Sequence, residues 1–213
     1  MMHTFVSMLK NKEIRNKILF TLAMLLIYRI GSAIPVPGVD ANALSSQISD
    51  NSILSMMNLL GGGALEKLSV FAMGVTPYIT ASIIIQLLSM DVIPALTEMT
   101  KSGQTGRMKM EKITRYLGVV LSFVQAFSLV YGFDVQYKVL ENANLSGYLY
   151  TATIMTAGTM FLVWLGDRIS MKGIGNGLSI IIFSGIVSNM PSSFFFLMIR
   201  RPPRSTQGEM FNG

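Results

Sequence analysis

The sequence predicts an all-α polytopic membrane helix bundle of about five transmembrane helices, with one short half-helix between the first and second. Three observations lead there. Of 213 residues, 51% are hydrophobic and 13% charged, about half the charged share of a typical soluble domain. The charges are segregated, leaving uncharged runs at residues 18–28, 68–90, 116–133, 142–166 and 173–199. Between the first two of these runs, a helix-like pattern at residues 53–60 is broken by Gly61-Gly62-Gly63 before it can cross a bilayer.

A span needs about 20 apolar residues. The last four runs approach or exceed that length, and the first reaches it by taking in Arg29 and continuing to Ile34. Predicted helices lie near residues 18–34, 76–90, 113–133, 148–166 and 177–191. Arg29 must snorkel or pair. A cleavable signal peptide is the alternative for the first run, because it follows Lys10, Lys12, Arg15 and Lys17 and precedes Gly31-Ser32-Ala33. Four further runs make a retained helix the more economical reading.

Orientation follows from Lys and Arg, which cytoplasmic loops retain. The N-terminal segment, the 91–115 loop (Lys101, Arg107, Lys109, Lys112, Arg115) and the turn with Arg168 and Lys172 carry eleven, against Lys67 and Lys138 opposite. The N-terminus is therefore predicted to be cytoplasmic. Trp164, Tyr148 and Tyr150 suit the interfacial aromatic belts. The arginines at 200, 201 and 204 fall on the wrong side, and the segment reading SSFFFLMIRRPPRSTQ differs in composition from what precedes it. Residues 192–213 are accordingly read as a non-native tail.

After Pro35 and Pro37 end the first helix, a polar stretch precedes Ile53, Met56, Met57, Asn58 and Leu60 and the glycine run. Irregular backbone at membrane depth is tolerated only where protein or a watery cavity covers it, which points to a channel or transporter. An amphipathic helix resting outside the bundle, with the glycines as a loop, has the same spacing.

The composition narrows the chemistry. There is no cysteine and one histidine, His3, which removes thiolate metal sites and Cys or His nucleophilic dyads from the spans. No enzymatic activity and no cofactor are expected. Seventeen methionines read as adaptable packing. Neutral polar residues within the spans, among them Thr80, Ser82, Gln86, Ser122, Thr153 and Thr156, are expected mostly to join helices by hydrogen bonds. The Gly173-Ile174-Gly175-Asn176-Gly177 cluster lacks a preceding strand and reads as a tight turn with close helix packing.

Residues 69–88, SVFAMGVTPYITASIIIQLL, resemble the first signature of the SecY family, the central subunits of the Sec protein translocon. WLGDRIS at 164–170 with GIGNGLSIII at 173–182 resembles the second, and the 34–38 turn also matches, with the bacterial form the closer likeness. The resemblance covers residues 1–191 and implies the N-terminal half of an inverted-repeat, hourglass-shaped channel for unfolded secretory polypeptides and membrane-protein insertion. It implies a pore ring containing Val75, Ile79, Leu178 and Ile182. Each pair is four residues apart, hence on one helix face. It further implies a plug across residues 53–68 (Ile53, Met56, Met57, Asn58, Leu60, Gly61, Gly62, Gly63) and a lateral gate at Thr80, Ile83 and Gln86. That stripe could equally pack against the fifth span. Implied partners are SecE and SecG subunits, the SecA motor or a translating ribosome, signal sequences and nascent polypeptides, and membrane lipids; the implied location is the bacterial plasma membrane. A secondary-transporter half, an intramembrane hydrolase and a plain membrane anchor are the competing classes. The near absence of intramembrane ionisable groups weighs against the first.

Overall fold

The structure, a computed structural model, describes residues 12–40, 62–90, 92–140 and 144–199, with side chains through Ser188. Its helices are α1 (Lys12–Ser32), α2 (Thr76–Leu88), α3 (Pro94–Lys101), α4 (Gly103–Tyr137), α5 (Leu145–Lys172) and α6 (Gly177–Ile199). Among the described residues, α4 and α5 are long and apolar enough to cross a membrane. The predicted span at 76–90 is a helix of 13 residues, about 20 Å long, preceded by irregular chain. The α6 backbone runs on past Pro191.

Helices α4 and α5 form the central pair. On α4 the buried positions Thr114, Gly118, Ser122, Ala126, Val130 and Asp134 recur every fourth residue, a ridge of mostly small side chains that lets neighbours approach closely. Helix α2 lies along α4, while α1 and α6 lie against α5. The outer faces are apolar: Leu19, Leu22, Leu26 and Ile30 on α1, and Val120 and Val124 on α4, are exposed. Water would not tolerate that surface on a monomer; lipid does. Helix α1 is built into the bundle, with Tyr28 buried and Thr21 Oγ1 accepting from the Ile174 N–H at 3.3 Å.

Two helical features fall inside the predicted basic loop. Pro94 occupies the first turn of α3, where its missing N–H costs nothing, and Leu96 anchors the helix as a buried side chain. Gly103 then turns the chain at φ +72, and α4 begins ten residues before the predicted start. Charge-based reading stops a span at the first lysine; the helix itself continues into the interface.

The segment 62–75 is irregular yet buried. Ala64, Leu65, Leu68, Ser69 and Phe71 are all almost inaccessible. Its backbone is satisfied by neighbours: Val36 N–H donates to Leu68 O at 3.0 Å, Val70 N–H to Ile34 O at 3.1 Å, and Ser69 N–H to Ala64 O at 2.9 Å. Unhelical chain survives here because protein covers it and supplies its partners.

One expectation is corrected. The hydroxyls of Thr80, Thr153 and Thr156 do not join helices; each donates to the carbonyl four residues back on its own helix, at 3.1, 2.7 and 2.7 Å. Gln86 likewise donates to Ser82 on α2. A β-hydroxyl reaches its own i−4 carbonyl without help from a neighbour, so this local bond wins. Ser122 Oγ is buried with no hydrogen-bond partner among the described residues.

A buried carboxylate organises the far end. Asp134, 7% exposed, accepts from the Leu140 N–H at 3.0 Å and from the Tyr148 hydroxyl. Lys138, in the left-handed region at φ 51, closes α4 by donating its N–H to Asp134 O at 2.9 Å. Asp134→Ala would strand both donors and is expected to cost about 1–3 kcal/mol, read as a lower midpoint in equilibrium unfolding from mixed micelles.

Candidate functional site

The candidate site is built where the irregular segment passes into α2. Val75 is the N-cap of α2, and Ile79 lies one turn on, its N–H donating to Val75 O at 3.1 Å. Across from them, α6 starts with a defined geometry. Asn176 Oδ1 accepts from the Leu178 N–H at 3.1 Å, and Ser170 Oγ accepts from the Gly177 N–H at 2.8 Å. These bonds satisfy amides that a helix N-terminus leaves free.

Glycine sets the depth at which α6 sits. A Cβ added at Gly177 would lie 1.9 Å from Gly166 O, and one added at Gly166 would lie 2.7 Å from Leu178 Cδ2. The crossing therefore needs glycine at 177, where the clash is with backbone, while at Gly166 the nearest atom is the end of a leucine side chain; this agrees with the expected tight turn. Leu178 consequently rests on α5, and Ile182 lies one turn further along α6.

All four residues of the implied ring fall in one apolar cluster. Val75 is buried in it, with Ile79, Leu178 and Ile182 partly buried against it. Three of them, Val75, Ile79 and Ile182, border a cavity of about 360 Å3; Leu178 does not. The cavity has further walls: Leu65 from the irregular segment, inside the implied plug at 53–68, and Tyr28 from α1, Leu162 from α5 and Ile181 from α6, which sequence reasoning missed, with Thr76 and Gln125 as polar members. Leu162 and Ile181 lie on predicted helices, where neighbouring apolar residues look alike. The place of Leu65 depends on how the chain folds back.

Aromatic rings brace the cluster. Tyr28 stacks on Phe71 at 6.2 Å between centroids, Phe71 on Phe161 at 5.9 Å, and Phe161 on Trp164 at 5.6 Å. The Arg168 guanidinium carbon lies 5.3 Å from the centre of the Trp164 ring. Beyond it, Arg115 of α4 pairs with Asp167 of α5 at 2.7 Å. This partly exposed pair fixes register and adds little stability.

The implied lateral-gate stripe is left open. Ile83 is 51% exposed and Gln86 is exposed, while Thr80 is partly buried, so Ile83 and Gln86 are not packed on α6. Of the implied plug, Ile53, Met56, Met57, Asn58, Leu60 and Gly61 lie outside the described residues. Gly62 and Gly63 lie within them, at φ +70 and +79.

A family model described as SecY matches residues 69–211. The chain belongs to the SecY family. It is 51% identical over 195 residues to the protein translocase subunit SecY of Bacillus subtilis (strain 168), covering 91% of this chain and 45% of that relative. It is 48% identical over 196 residues to the same subunit of Staphylococcus epidermidis, with the same coverage. The chain thus spans a little under half the length of these SecY relatives. Two solved structures share the fold at a TM-score of 0.62 and 18% identity. One is titled Sec61 in the canine ribosome-channel complex from the endoplasmic reticulum, matched over 89% of this chain and 43% of that one. The other is titled the structure of a protein conducting channel, matched over 89% and 42%.

Proposed function

We propose that the chain supplies the N-terminal half of a protein-conducting channel subunit in the bacterial plasma membrane, passing unfolded secretory polypeptides across it and membrane proteins into it. The observation that carries this is the gathering of Val75, Ile79, Leu178 and Ile182, from two elements distant in sequence, into one apolar cluster beside a cavity. Aliphatic side chains offer water no hydrogen bonds, so a collar of them stays dry and resists ion flow while deforming around a passing chain. No bond is made or broken, and no cofactor is used.

On this reading residues 1–191 form one half of the pore, and the second half completes the ring. Residues 53–68 act as the plug. Thr80, Ile83 and Gln86 line the side through which apolar segments leave for lipid, which agrees with the exposure of Ile83 and Gln86. Residues 192–213 are assigned no role. The basic N-terminus and the α3–α4 region face the cytoplasm, where the SecA motor or a translating ribosome would deliver signal sequences and nascent chains. SecE and SecG would associate in the membrane, and lipid would cover the exposed apolar faces of α1 and α4.

A chimera tests the reading. Residues 1–191 joined to the second half of a SecY relative are expected to restore export of a secretory protein in cells depleted of their own channel. Correct insertion of the chimera with no export would reject the proposal.

A further inference from the structure

Arg29 lies on α1 among Leu26, Ile27 and Ile30, all exposed and apolar, surroundings in which a charge is costly. It is paired, in a way the sequence does not specify. Its Nη1 donates to Gly62 O at 3.0 Å and to Ser188 Oγ at 3.1 Å, and Ser188 Oγ donates to Gly185 O at 2.8 Å. Gly62, in the left-handed region, fits so tightly that an added Cβ would lie 3.0 Å from both Gly185 Cα and Tyr28 Oη. Helix α1, the Gly62 turn and α6 therefore meet at one point, with a guanidinium as the shared donor. Three residues beyond Gly62, Leu65 forms a wall of the apolar cavity together with Tyr28 and Ile182.

We propose that Arg29 is a clasp that holds the Gly62–Leu65 turn against α6 and so keeps that wall of the cavity closed. A charge-assisted hydrogen bond is strong where water is excluded and weak where water competes for the donor. Arg29 lies outside the cavity lining, so the clasp acts on the cavity through the Gly62–Leu65 turn that it holds. Its existence rests on the geometry, and its use in gating rests on the channel reading above.

The sequence contains no cysteine, so single thiols report on it cleanly. Leu65→Cys probes the clasped wall, Leu162→Cys the same cavity from α5, and Ile169→Cys a buried position on α5 that does not border the cavity. With the full chain in lipid nanodiscs, Arg29→Gln is expected to speed N-ethylmaleimide labelling at Leu65→Cys by about tenfold, the scale of one lost charge-assisted bond, and to raise labelling at Leu162→Cys through the opened wall. Labelling at Ile169→Cys should stay unchanged, Ser188→Ala should give a smaller rise of the same kind, and Arg29→Lys should return labelling towards the parental rate. An unchanged rate at Leu65→Cys, or a parallel rise at Ile169→Cys, overturns the clasp. Should Arg29→Gln not fold, Ser188→Ala with the same thiols decides the matter. Labelling needs no transport, so a chimera that fails to export rejects the channel reading without touching the clasp, and unresponsive thiols do the reverse.

Discussion

Ile79→Ser combined with Ile182→Ser is expected to raise the resting ion conductance of membranes containing the completed channel by about tenfold, without abolishing export. Both side chains border the cavity, and neither makes a polar contact as isoleucine. A hydroxyl at each position gives water a partner inside the constriction and lowers the cost of wetting it. About 1.4 kcal/mol off that barrier is a factor of ten in leak. The measurement is single-channel or vesicle-flux conductance with no translocating chain present. Leu178→Ser, at a ring position that does not border the cavity, should have the smaller effect. Unchanged conductance in the double variant would remove the collar from the proposal.

Gly177→Val is expected to damage the packing of α6 on α5 severely. The new Cβ would lie 1.9 Å from Gly166 O, a backbone atom that cannot rotate away. Helix α6 must then lift from α5, taking Leu178 and Ile182 out of the cluster. Overpacking of this kind costs about 3 kcal/mol. Gly132→Ala is the matched control: it is helical, its added Cβ meets nothing within 4 Å, and it should be neutral or stabilising by up to about 1 kcal/mol. Because the chain has one tryptophan, Trp164, its fluorescence during unfolding from mixed micelles reports both variants. Equal midpoints for Gly177→Val and Gly132→Ala would contradict the crossing geometry.

Much of this arrangement was legible in the sequence, and for identifiable reasons. Uncharged runs and turn residues located α1, α2, α5 and the start of α6, because lipid imposes a composition that shows directly in the chain. The four-residue spacing of Val75 with Ile79 and of Leu178 with Ile182 placed each pair on one face. Other features depend on partners far away in sequence and left no local signal. The residue pattern around Leu65 says nothing of folding back onto the cavity, which only the resemblance implied through the plug at 53–68, and Arg29 announces only that it needs acceptors, not that Gly62 O and Ser188 Oγ are the ones. Asp134 falls one residue beyond the predicted end of its span, where an exposed acid would look the same. Helix α3 and the early start of α4 were hidden because charge marks where a helix leaves hydrocarbon, not where it ends.

The backbone pairings of the irregular segments impose an order of assembly. The bridge between Pro35 and Ser69, and that between Val39 and Leu140, join stretches separated by the whole of the intervening chain. Synthesis proceeds from the N-terminus, so the first stitch waits for the residues that follow the glycine run, and the second waits until α4 has been made in full. The rim carrying Val36 and Leu140 therefore closes only after α4 is complete, and a nascent chain halted within α4 would leave Asp40 without the Val139 carbonyl that its N–H reaches at 2.8 Å in the finished fold.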